Sequence, residues 1–206
     1  MDEPIDSLSD SLRPADAELE QSDIGQPRSE DTAVVGCRQQ DTDAYLVTYG
    51  RNCVIAERVR IGHHTRVGNF VFIRDDTIIG RHCTIGSFVD IEGDVHVGDF
   101  VSLQSGCYLT RGVLIEDKVF CGPSIVTLND RHMCYGRASM KFVREAPRIL
   151  RAARVGGGSV LCPGITIGEN AFVGAGSVVT CDVPDRMMAM GNPAKIVGPV
   201  RKDQIV

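Results

Sequence analysis

His132 stands in the richest chemical setting of the chain's 5 histidines. It closely follows Asn129 and Asp130, with Arg131 and Arg137 on either side. Imidazole titrates near neutrality, so it suits the removal of a proton as a bond forms. A neighbouring amide and carboxylate can orient such a base or hold a polar substrate. The same Asn-Asp pair also suits a turn. His132, Asn129 and Asp130 are therefore the candidate catalytic group, and Arg137 is a candidate substrate contact.

These residues lie in an interruption of a regular pattern, and the pattern must supply what positions them. From Ile55 to Cys121 every sixth residue is aliphatic or Cys: Ile55, Ile61, Val67, Ile73, Ile79, Ile85, Ile91, Val97, Leu103, Leu109, Ile115, Cys121. Four residues after each comes a second small or β-branched residue, as in Val59, Thr65, Val71 and Cys83. Gly often follows the aliphatic residue directly, as at Gly62, Gly68, Gly80, Gly86, Gly98 and Gly122. The period resumes in a new phase at Val155, Leu161, Ile167, Val173 and Val179.

A period of six fits neither an α-helix nor an alternating strand. It fits a parallel β-helix, in which short strands stack coil upon coil. Each unit is a strand and a turn, and three units close one coil. The 17 units counted this way give five to six coils. The Gly residues suit corners that need unusual dihedrals. Each coil buries its apolar face only against neighbouring coils, so the ends need caps.

This reading divides the chain. Residues 1–33 form a polar acidic tail, expected to be disordered, with ten acidic and two basic side chains. Residues 34–52 are a lead-in, whose Tyr45, Leu46 and Val47 pair with or cap the first coil. Residues 53–126 are the first helical run, 127–154 an inserted active-site loop, 155–184 the last coils, and 185–206 a C-terminal cap. Without the tail the charge balance is +3, too weak for a nucleic-acid surface but compatible with anionic small molecules. No apolar run reaches membrane-spanning length. The 8 Cys include Cys83, Cys107 and Cys121 at inward slots and no CxxC pair. That usage points to reduced thiols and a cytoplasmic protein.

The period also predicts which side chains meet. Asp90 and Tyr108 lie 18 residues apart in one outward column that leads to the insertion, so they are candidate acceptor contacts. His64 and His82 are likewise equivalent on adjacent coils. A zinc site of the β-helix carbonic anhydrases needs three His with two close in sequence. Adjacent His63 and His64 with a lone His96 do not match that spacing, so no metal site is expected.

Four blocks sharpen the picture: Gly122-Pro123-Ser124-Ile125-Val126-Thr127-Leu128-Asn129-Asp130, Pro163-Gly164-Ile165-Thr166-Ile167-Gly168, Val173-Gly174-Ala175-Gly176-Ser177-Val178-Val179-Thr180, and Gly191-Asn192-Pro193-Ala194-Lys195. Over about residues 53–198 the chain resembles the hexapeptide-repeat acyltransferases, in the branch that acetylates sugars and amino sugars from acetyl-CoA. The resemblance implies a left-handed parallel β-helix and a homotrimer with active sites between neighbouring prisms. It also implies acetyl-CoA lying along the C-terminal coils. Gly156, Gly174, Ala175 and Ser177 would then face the pantetheine arm, and Lys195 and Arg201 the CoA phosphates. His132 becomes the base for acetyl transfer to an amine, less readily a hydroxyl, of a small polar acceptor such as an amino sugar, nucleotide-linked or not. Gln104-Ser105-Gly106 departs from the Gln-Asn-Asn segment common where the acceptor is a nucleotide-linked 3-amino sugar. Two alternatives stay open: a non-catalytic assembly subunit, and a zinc carbonic anhydrase.

Overall fold

The computed structural model describes residues 46–206; the stretch 1–33 and most of the lead-in, Tyr45 included, lie outside the described residues. The described residues build an all-β parallel helix. Two-residue strands recur every six residues, from β1 (Thr48–Tyr49) to β14 (Val126–Thr127) and again from β15 (Arg148–Ile149) to β20 (Val178–Val179). In each pair the first residue points out and the second points in, as in β8 (Asp90–Ile91). Strands pair in parallel with those 18 residues on: Arg66 with Thr84, Phe72 with Asp90, Ile78 with His96. Three walls result, with nine, seven and six strands.

The interior explains the residue types. Ile55, Ile73, Ile91, Leu109 and Leu161 stack up one wall and are almost wholly buried. Each such side chain contributes about 1.5–3 kcal/mol by leaving water. Cys53, Cys83, Cys107 and Cys121 serve as small apolar fillers of the same interior, without disulfides. Burial pushes the Cys107 thiol up to about 11. It raises the Cys121 thiol as well.

Two expectations need correction. The solenoid makes about eight turns, not five to six: one wall stacks eight parallel strands before its antiparallel edge. The aliphatic series alone missed Tyr49, which starts the helix, Ile149, which resumes it inside the expected insertion, and Ala189 beside Val173. The role of the glycines also differs. Gly62, Gly68, Gly80, Gly86, Gly98 and Gly122 are not among the positive-φ residues. They are Gly because coils approach too closely for a side chain. A Cβ at Gly86 would sit 2.4 Å from the Ser105 backbone nitrogen. The left-handed corners fall two residues later, on Asn52, His64, His82, Phe88, Ser124 and Asn170 among others.

The far end closes on an antiparallel hairpin, β21 (Met187–Gly191) with β22 (Ala194–Pro199). The C-terminal residue ties back to the last coils: the Val206 N–H donates to Asn170 Oδ1 at 2.8 Å.

Candidate active site

The insertion leaves after β14 and rejoins at β15, and the ladder continues across it. Leu114 pairs with Arg148 and Val126 with Val160, so one coil is lengthened and its neighbours keep their register. The stem is a short antiparallel hairpin. Asp130 pairs with Arg144. The Glu145 N–H donates to the Asn129 carbonyl at 2.8 Å, and the Arg131 N–H to the Val143 carbonyl at 3.3 Å. Arg131 and Glu145 form an ion pair across the stem.

Asn129 anchors this stem to the coil before it. Its Nδ2 donates to the Arg111 carbonyl at 2.9 Å. Arg111 is held in turn, its N–H donating to Glu92 Oε2 at 3.0 Å. The other oxygen of Glu92 accepts the Tyr108 hydroxyl. A chain of contacts thus runs from Tyr108 through Glu92 and Arg111 to the root of the insertion. The Glu92 carboxylate, first by this hydrogen bond and next with burial, pushes the Tyr108 phenol up to about 12. Glu92 is the residue that sequence reasoning missed. It occupies an outward turn slot like many others, and only the coil spacing brings it to Arg111.

Asp130 is the unusual member. Its Oδ1 is buried and has no hydrogen-bond partner. Leaving such an acceptor unmade costs about 1–3 kcal/mol. It marks a place where a donor from outside the chain would be welcome. His132 follows two residues on, exposed on a turn, and its side chain has no hydrogen bond among the described residues. Arg137 folds onto the loop's own tip, donating from Nη1 to the Tyr135 carbonyl at 3.2 Å. Asp90 and Tyr108 are register neighbours, and Asp90 is held by Arg74 Nη1 at 2.6 Å.

The residues expected to meet CoA separate into two sets. Ala175 and Lys195 are exposed on the C-terminal coils and hairpin. Arg201 is exposed but paired with Asp203 at 2.7 Å. Ser177, in contrast, turns inward. Its Oγ donates to the Gly174 carbonyl at 2.6 Å and accepts the Gly191 N–H at 3.1 Å. It locks the hairpin to the helix and has no role left at the surface. Gly156 and Gly174 answer to coil spacing: a Cβ on Gly156 would meet Ala175 N at 2.4 Å, and one on Gly174 the Met190 Cβ at 2.7 Å.

A second cluster lies at a different corner. His64 and His82 stack on adjacent coils as their spacing predicts, with ring centroids 4.8 Å apart. His63 joins them, which the spacing did not indicate. The His82 imidazole is held below its ordinary range, first by desolvation and then by His64 and His63.

The bacterial transferase hexapeptide model, six repeats long, matches residues 76–111 and 146–181. A curated relative, the dTDP-3-amino-3,6-dideoxy-alpha-D-galactopyranose 3-N-acetyltransferase of Aneurinibacillus thermoaerophilus, is 54% identical over 50 residues, which is 24% of this chain and 26% of that protein. The chain thus spans about a quarter of the length of the curated relatives it matches. Among solved structures, a hexapeptide transferase family protein from Anaplasma phagocytophilum superposes with TM-score 0.53 at 19% identity, over 77% of this chain and 86% of that one. The polySia-specific acetyltransferase NeuO gives TM-score 0.52 at 20% identity, over 78% and 76%. These two share the fold. The repeat is matched in both runs, on either side of the insertion.

Proposed function

We propose that the protein moves an acetyl group from acetyl-CoA to the amine of a small polar acceptor, an amino sugar, either free or nucleotide-linked. The observation that carries this reading is the root of the insertion. Asn129 is clamped to Arg111, and beside it the buried Asp130 Oδ1 has no partner. A sugar hydroxyl or amine is the donor that would complete it. The relative acting on a 3-amino sugar, by its name an N-acetyltransferase, favours an amine over a hydroxyl.

In this reading His132 takes a proton from the acceptor amine as its nitrogen attacks the thioester carbonyl. Collapse of the tetrahedral intermediate forms the amide and expels the CoA thiolate, which takes up a proton. Asn129 and Asp130 hold the acceptor, so much of the rate comes from alignment of the two substrates. Arg137 and the Asp90–Tyr108 column are further acceptor contacts. The exposed Ala175, with half-buried Gly156 beside it, receives the pantetheine arm, while Gly174 is buried under the hairpin. Lys195 and Arg201 meet phosphate, the latter by exchanging Asp203 for the ligand.

His132 stands exposed, and base catalysis gains from a water-poor site. The insertion tip is also apolar and exposed, with Met133 at 78% and Tyr135 at 96%. A neighbouring copy in a homotrimer would cover both and close the cleft. The test is a panel of amino sugars and their hydroxyl counterparts, nucleotide-linked forms included, incubated with acetyl-CoA while free thiol is measured. Thiol release with amines alone supports the reading. Release only with hydroxyl acceptors, or none with any acceptor, overturns it.

A further inference from the structure

The imidazoles of His63, His64 and His82 converge at a corner that the acetyl-transfer reading does not use. His63 and His64 lie on the turn after β3 (Arg60–Ile61). His82 lies on the equivalent turn one coil on, after β6 (Ile78–Ile79). The two turns are tied directly, the His82 N–H donating to the His63 carbonyl at 3.0 Å. The rings of His64 and His82 are nearly parallel, while His63 stands edge-on to both, at centroid distances of 5.0 Å and 5.4 Å. One ring nitrogen from each residue lies within 4.8 Å of the other two.

His63 supplies a second, independent observation. Its Nδ1 is buried and without a hydrogen-bond partner. Among the described residues, the only other such side-chain atom belongs to Asp130, at the insertion. A buried imidazole nitrogen with nothing to bind is costly as it stands. It would be satisfied by a cation shared with its two neighbours. The outer face of His82 is covered by Phe100, stacked at 4.9 Å from the following coil, which shields the cluster on that side.

We propose that His63, His64 and His82 form a binding site for one divalent transition-metal ion, clipping the first coils together. The donor set is three neutral nitrogens, with no carboxylate or thiolate in the cluster. Such a set suits Zn²⁺, Ni²⁺, Cu²⁺ or Co²⁺ and not Mg²⁺ or Ca²⁺. Tetrahedral Zn²⁺ with bonds of about 2.0–2.1 Å holds its nitrogens about 3.3 Å apart. The three nitrogens must therefore close by about 1.5 Å at most, a movement within the reach of ring rotation on exposed turns. Water completes the fourth position. All ligands come from one chain, on two consecutive turns, which sets the site apart from the carbonic anhydrase spacing. It also lies on the first coils, at a corner other than that of the insertion.

The test uses the full chain without a polyhistidine tag. Zn²⁺ and Ni²⁺ are titrated by calorimetry, with Mg²⁺ as the comparison, and the Co²⁺ form is examined by absorption. One ion per chain is expected, with a rise in melting temperature on Zn²⁺ and none on Mg²⁺. The Co²⁺ spectrum should lack thiolate charge-transfer bands, which separates this site from the exposed Cys181. His64→Asn and His82→Asn suit the variants, because both positions have φ near +60° and Asn tolerates that region. Each should weaken Zn²⁺ binding at least about tenfold, and the pair should abolish it. His63→Gln, at a position with ordinary φ, provides a third arm if either Asn variant folds poorly. His96→Asn, outside the cluster, should bind as the parent does. The proposal is overturned if the parent shows no saturable Zn²⁺, Ni²⁺ or Co²⁺ binding. It is equally overturned if binding survives in the double variant or the Co²⁺ spectrum shows thiolate ligation.

Discussion

Replacing Gly86 by Ala should cost far more than one methyl group normally does. The new Cβ would lie 2.4 Å from Ser105 N, 2.7 Å from Gln104 C and 2.8 Å from Ser105 Cα. All three are backbone atoms of the next coil, so no side chain can rotate aside. Reaching ordinary contact needs a separation of about 3.4 Å, hence a local shift of about 1 Å between coils. That shift strains the Gly86 N–H bond to the Leu103 carbonyl, now 2.7 Å long. Overpacking costs about 1–3 kcal/mol, and a weakened buried hydrogen bond adds about 1 kcal/mol. About 3 kcal/mol corresponds to a fall of about 6–12 °C in a chain of this size. Gly176→Asn is the contrast. Its φ is +68° with nothing within 4 Å of a Cβ, and Asn already occupies the matching conformation at Asn52 and Asn170. It should cost less than about 1 kcal/mol. Thermal melts followed by circular dichroism compare the two. If Gly86→Ala melts within about 2 °C of the parent, or is the milder of the two substitutions, coil spacing does not explain these glycines.

The same geometry sets other outcomes. Val97→Asp puts a carboxylate between Ile79 and Ile115 at a position 1% exposed; it should destabilise by more than about 3 kcal/mol, and an unchanged melting temperature would refute the inward register. His132→Ala should leave the melting temperature within about 2 °C while lowering kcat/KM about 10²–10⁴-fold; a loss under about twofold across pH would remove His132 as the base. Asn129→Ala frees the insertion stem from Arg111, so KM for the acceptor should rise several-fold with little thermal effect; an unchanged KM would separate the stem from acceptor binding. Because the Tyr108 phenol is raised above its ordinary 10.0 to about 12, its contribution to stability is complete below pH 10 and lost as pH rises through 12. Glu92→Gln should bring phenolate formation to lower pH in a spectrophotometric titration, and an unmoved titration would break the proposed chain from Tyr108 to Arg111.

The fold was legible because one short period repeats without slippage, and each inward slot must be apolar where coils meet on both sides. Cys107 and Cys121 could be placed inside from their slots alone. The insertion was visible as a break in phase, and with it Asn129, Asp130 and His132. What escaped were features set by distance between coils. Gly86 looks in sequence like a turn residue, yet its φ is ordinary and its neighbour's backbone is the constraint. Ser177 sits in a small-residue block that reads as surface, yet it lies four residues after Val173, an inward place of the period itself, and its Oγ turns inward. Glu92 and His63 lie on turns, where side chains do not alternate as in strands, so slot counting could not tell which way they face.

Arg148 takes the ladder place opposite Leu114 that residue 132 would hold in an unbroken repeat. The scaffold therefore accepts the extra length at a single corner without passing any disturbance to the coils on either side. The framework and the loop are separable modules: lengthening, shortening or exchanging 128–147 changes what the corner presents while leaving the register of the coils in place. Diversity at this corner can then be a matter of graft and replacement at one junction, with no renegotiation of the core.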